Sequence, residues 1–125
     1  MNKNYFDSGL KVLKEILKED ADKFIAKLNS LHEGIGEEIV EGVYGRFYSR
    51  EGLDLKTREL VTIALFLTHG TDEQLSFHIQ SGLNVGVTKE EIAEVILHSS
   101  TVIGWPRALK GLQVLKNTTD MTVDR

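Results

Sequence analysis

Proline occurs once in this 125-residue chain, at Pro106. Inside a helix, proline removes a hydrogen bond and clashes with the preceding turn, so its near absence leaves long stretches free to run as helix. The apolar spacing agrees. Over residues 7–18, Leu10, Leu13, Ile16 and Leu17 recur at three- and four-residue intervals, the stripe of an amphipathic helix. Asp20 can cap a second segment carrying Phe24, Ile25 and Leu28 and ending near Gly34. A third is expected from about Gly36 to Tyr48, with Ile39, Val40, Val43, Tyr44 and Phe47 as its apolar face.

The rest of the chain is punctuated by caps. Asp54 opens a fourth helix that runs to Gly70. Thr71-Asp72-Glu73-Gln74 and Thr88-Lys89-Glu90-Glu91 both have the spacing of a capping box, a hydroxyl and a longer polar side chain that satisfy each other's amides. They open a fifth helix through about Val85 and a sixth over residues 89–102. Gly104-Trp105-Pro106 interrupts, and Pro106 suits the first turn of a seventh helix ending near Asn117. Residues 118–125 are expected to form a frayed tail. No strand is predicted, and no repeat or linker divides the chain. The expected fold is all-α, a single domain over residues 1–125 built from about six or seven helices.

Composition narrows the function. The net charge is −4 and the 15 basic residues are scattered, so the basic stripe of a nucleic-acid binder is missing. The longest apolar run, residues 63–67, is far short of the roughly 20 needed to span a bilayer. Residues 1–7 hold no apolar signal core, and a cytoplasmic location is expected by default. There is no cysteine, which removes disulfides, zinc ribbons and thiol nucleophiles within this chain. The four histidines show no HExxH or other ligand spacing, so no metal is expected.

One acidic residue stands out. Helix four reads Leu60-Val61-Thr62-Ile63-Ala64-Leu65-Phe66-Leu67, apolar nearly all round, which predicts either a central helix or a subunit interface. At 100° per residue Glu59 falls between Ile63 and Phe66, away from the polar sector of Arg58, Thr62 and His69. A carboxylate there must neutralise, pair or bind something. On helix five His78 shares its face with Gly82, one turn on, which is expected to leave open volume beside the imidazole. Each residue also has an ordinary explanation: a salt bridge near a helix start, and a satisfied core histidine. His32 and His69 sit near helix ends, where they can meet free carbonyls, and His98 lies at the edge of an apolar face.

The order of these residues resembles the carboxymuconolactone decarboxylase family, which includes the alkylhydroperoxidase D-like proteins. Its carriers are Gly52-Leu53-Asp54 with Thr57-Arg58-Glu59-Leu60-Val61-Thr62, then Glu73-Gln74-Leu75-Ser76-Phe77-His78. Gly86-Val87-Thr88-Lys89-Glu90-Glu91-Ile92, Leu97-His98 and Gly104-Trp105-Pro106 complete it, within a family-like core of about residues 36–117. In the peroxidase branch a glutamate precedes a Cys-x-x-Cys pair, with a histidine four residues after it. Here the glutamate and histidine are Glu59 and His78, and the cysteine positions are Thr71 and Gln74. The match is closer to the thiol-free decarboxylase branch.

The resemblance implies cofactor-free decarboxylation of a small anionic lactone or keto acid in an alkylhydroperoxidase D-like bundle that assembles as a trimer or hexamer. In the family's reaction, electron density left by carbon dioxide spreads through a ring alkene to a lactone carbonyl. His78 is implied as proton donor or oxyanion partner and Glu59 as the group that orients it. Arg46, Arg50 and Arg58 are candidate cations for the substrate, with Gln74, His98 and Trp105 as further substrate contacts. The chain departs from the family at residues 101–107: Val102 replaces a tyrosine, and Trp105 and Arg107 add bulk and charge. Two other readings keep the fold. One is a non-enzymatic small-molecule binding or assembly protein; the other is a peroxidase-type redox protein, opposed by the absent thiols.

Overall fold

The structure, a computed structural model, describes residues 3–123, and no strand occurs among them. The all-α expectation holds. The chain divides into two compact units, the first ending at Asp54 and the second beginning at Leu55.

The first unit contains α1 (Lys3–Leu17), a 3-10 turn (Lys18–Asp20), α2 (Ala21–Leu31) and α3 (Ile35–Ile39), which runs on as a π-helical segment (Val40–Tyr48). Leu13 and Ile16 of the predicted α1 stripe are fully buried. Asp20 makes no side-chain capping bond, because the 3-10 turn feeds directly into α2 and takes the place of a cap. The third predicted helix changes register midway: Ser49 N donates to Tyr44 O, five residues back. The wider turn carries Glu41 and Gly45 inward beside Val40 and Tyr44, and it leaves Phe47, expected on the apolar face, exposed. The helices meet at two glycines. A Cβ on Gly45 would lie 1.9 Å from Tyr5 O, and one on Gly9 would lie 2.1 Å from Val40 O. Main chain therefore packs on main chain there.

The second unit contains α4 (Leu55–His69), α5 (Asp72–Asn84), α6 (Lys89–Ile103) and α7 (Trp105–Val123). Ile63, Leu67, Leu75, Ile79, Ile92 and Ile96 centre its core. Both capping boxes form as expected: Gln74 N donates to Thr71 Oγ1 at 3.1 Å, and Glu91 N to Thr88 Oγ1 at 3.0 Å. In return the Thr88 amide donates to the Glu91 carboxylate at 2.9 Å. That bond, aided by Lys56, holds the Glu91 carboxyl below its ordinary pKa. Gly86 (φ 96°) and Gly104 (φ 88°) occupy left-handed conformations at the breaks before α6 and α7.

Three expectations are corrected here. α7 does not end near Asn117 but continues to Val123. Thr118 and Thr119 are buried, and the Thr118 hydroxyl lies 2.6 Å from that of Ser76 on α5, so this turn is packed rather than frayed. Of the two alternatives for α4, the central helix is the one corrected: it buries one face, through Glu59, Ile63 and Leu67, and leaves Val61 and Leu65 about half exposed (48% and 54%). The glycine at 82 leaves no open volume. A Cβ there would sit 3.5 Å from Ile63 Cδ1 and 3.6 Å from both Glu59 Cβ and Val87 Cβ, ordinary packing distances. Among the described residues, no helix is long and apolar enough to cross a membrane.

The two glycine environments predict opposite outcomes. Gly45→Ala should destabilise the protein by about 1–3 kcal/mol, the usual scale of overpacking. Gly82→Ala should leave it unchanged or stabilise it by up to about 1 kcal/mol through helix propensity. Urea unfolding of both variants beside the parent checks the pair.

Candidate active site

Glu59 lies in the first turns of α4 and His78 at the middle of α5. The two helices are consecutive and antiparallel neighbours need only a short connection; the Thr71 capping box ends that connection and starts α5. One turn beyond His78, position 82 of α5 packs beside the stem of Glu59. Glu59 has no exposed surface and His78 is 8% exposed. Their side chains meet, with His78 Nδ1 3.2 Å from Glu59 Oε2.

The direction of the proton follows from the partners. When Glu59 is ionised its carboxylate only accepts, and Nδ1 then carries the hydrogen in this contact. Nε2 then faces away from Glu59, and it makes no hydrogen bond among the described residues. Glu59 Oε1 is buried and likewise has no partner among them. The imidazole is flanked by rings. Phe66 stacks on it with centroids 4.8 Å apart and planes 12° from parallel. Phe77 presents an edge at 5.2 Å and 78°. A desolvated carboxylate thus steadies one ring nitrogen and leaves the other uncommitted, an arrangement suited to moving one proton.

Of the eight residues singled out from sequence, Glu59 and His78 are seen in direct contact. Arg46 belongs to the first unit, where it pairs with Glu41 at 3.6 Å and stands 4.5 Å over the Tyr5 ring. Arg50 is exposed just past the π-helical segment, and Arg58 is half-buried one residue before Glu59. The Gln74 side chain is engaged with the Thr71 amide at 3.0 Å. His98 is exposed on α6, and Trp105, 57% exposed, begins α7. Arg107 extends from α7 to the Leu67 carbonyl at 3.4 Å, near the end of α4. Among the described residues, no group of three or more His, Asp or Glu side chains converges as a metal site.

Two features were not read from the sequence. Phe66 was placed beside Glu59 by azimuth, but its stack on His78 depends on how α4 meets α5. Glu41 is buried because of the π register, for which the sequence offers no signal.

The pair predicts an asymmetric response to mutation. Glu59→Ala should lose roughly 2–4 kcal/mol, since it strands a histidine donor and leaves a gap. Glu59→Gln, whose amide oxygen still accepts from Nδ1, should recover more than half of that loss. Chemical denaturation at neutral pH measures both.

The family model described as the carboxymuconolactone decarboxylase family matches residues 37–117. The chain is 37% identical over 102 residues to the 4-carboxymuconolactone decarboxylase of Acinetobacter baylyi, covering 81% of this chain and 76% of that protein. It is 29% identical over 126 residues to the nitrosuccinic acid decarboxylase npaB of Metarhizium robertsii, covering all of this chain and 88% of that protein. The protein belongs to the carboxymuconolactone decarboxylase family.

Proposed function

We propose that this protein is a carboxy-lyase that uses the Glu59–His78 pair, without a cofactor, to decarboxylate a small substrate carrying two carboxylates. The single observation that carries the reading is the buried carboxylate–imidazole contact, with Nδ1 held and Nε2 uncommitted.

The substrates named for the two relatives share a chemistry. A carboxylated muconolactone can pass the electrons of its breaking C–C bond through the ring alkene to the lactone carbonyl. In nitrosuccinate, one carboxylate sits on the carbon that bears the nitro group, and those electrons move onto the nitro oxygens. In both, carbon dioxide departs and leaves a carbanion delocalised onto oxygen, which then takes up a proton at carbon. A protein that supports this step must hold the leaving carboxylate, exclude water and deliver one proton.

His78 supplies the proton from Nε2 while Nδ1 remains donated to Glu59, so the ring starts doubly protonated and finishes neutral. Solvent restores the proton after product leaves. Glu59 fixes the edge of the ring from which the proton is given. The second carboxylate of the substrate needs a cation, and Arg46, Arg50 and Arg58 stay candidates for that contact by family resemblance, with Gln74, His98 and Trp105 as further contacts. In this structure Arg46 would first have to release Glu41.

Self-association is part of the same proposal. Val61 and Leu65 expose apolar surface on α4, and a second copy of the chain is the occupant that the family's expected trimer or hexamer provides. Leu65→Glu should shift the molecular mass measured by light scattering to that of the monomer; an unchanged mass removes this face from the interface.

The activity is tested by incubating the purified protein with 4-carboxymuconolactone and, separately, with nitrosuccinate while following carbon dioxide release. Turnover of at least one is expected, and His78→Ala should lower kcat/KM at least about a hundredfold. Undiminished turnover in that variant takes His78 out of the mechanism.

A further inference from the structure

Glu59 fixes one edge of the His78 ring, but a single contact at 3.2 Å does not fix its plane. Rotation about the last side-chain bond of a histidine is soft, because an sp³–sp² torsion has broad minima. A partial rotation would tilt Nδ1 away from Glu59 Oε2 and re-aim Nε2. Something must hold the face of the ring.

Phe66 is placed to do so. Its ring lies 4.8 Å from the imidazole centroid and within 12° of parallel, whereas Phe77 touches only through an edge. Phe66 and Glu59 sit nearly two turns apart on the same side of α4, so one helix grips the imidazole at an edge and across a face. Phe66 is itself braced: a Cβ on Gly70 would come within 2.5 Å of Phe66 Cδ1. On this flank the ring also borders a small surface cleft shared with Thr71, Leu75 and Arg107.

We propose that Phe66 is a positioning residue for His78: its stacked ring, backed by Gly70, sets the imidazole plane and so the direction of Nε2. The inference rests on the decarboxylase reading only for its kinetic arm. Its spectroscopic arm needs no substrate.

The test uses full-length protein with nitrogen-15 histidine, in the parent and in Phe66→Leu, Phe66→Tyr and Gly70→Ala. With the ring neutral, long-range proton–nitrogen spectra should report the Nδ1-protonated tautomer in the parent and in Phe66→Tyr. Phe66→Leu should give a mixture of tautomers, and Gly70→Ala an intermediate one. With 4-carboxymuconolactone as probe, Phe66→Leu should lower kcat about tenfold with KM within twofold, and Phe66→Tyr should stay within twofold of the parent in both. A Phe66→Leu protein that keeps the parent's tautomer overturns the proposal, whatever the kinetics. If it unfolds, Gly70→Ala carries the decision by the same spectra. Loss of tautomer control without turnover in the parent would sink the reading of the activity and leave the role of Phe66 standing.

Discussion

The contact between Glu59 and His78 is the constraint around which the second unit is arranged. Neither group can be left alone in a dry interior, so α4 and α5 must meet at one register, the one that brings Oε2 to Nδ1. Ile63, Val87 and the stem of Glu59 all surround position 82 of α5 at ordinary packing distance, and Glu59 itself has no exposed surface. Stability alone is a poor reason to keep such a pair. Replacing a buried ion pair by apolar residues of similar size is often neutral or stabilising by about 1–4 kcal/mol. A core of isoleucines and leucines would hold these helices together without any charge. The presence of the pair fits a protein that spends part of its interior on proton transfer.

The thiol-free opening of α5 divides the labour differently from a redox protein built on the same plan. Thr71 and Gln74 occupy the positions where the peroxidase branch carries cysteines, and both side chains are used up in satisfying amides at the helix start. They hold the start of α5 in place, and in the proposed mechanism the chemistry falls to His78, two turns beyond Thr71. Decarboxylation toward an oxygen-stabilised carbanion asks for no electron acceptor, only a held substrate and a proton. That requirement matches what this helix pair contains.

Legibility in the sequence followed locality. The capping boxes at Thr71 and Thr88 were readable because both partners lie within one turn, and Glu59 was readable because its azimuth is set by its own helix. The contact with His78 was implied only by family likeness, since nothing within a single helix says which side chain of the next will face it. The π register at residues 40–48 was hidden because it depends on how α1 crosses at Gly9 and Gly45, a matter of two main chains rather than of local spacing. The course of α7 past Asn117 was missed for a related reason. Thr118 and Thr119 look like tail residues until their hydroxyls are seen bonding Val114 O and Leu115 O and packing beside Ser76.

That last helix has a practical side. Its final turns lean on α5 through Ser76, two residues before the histidine. An affinity handle or fluorescent fusion joined directly after Asn117 would cut into a packed turn, and the disturbance would travel along α5 toward the imidazole. Engineers who trim this chain for crystals or biosensors should treat the stretch through Thr119 as belonging to the packed body.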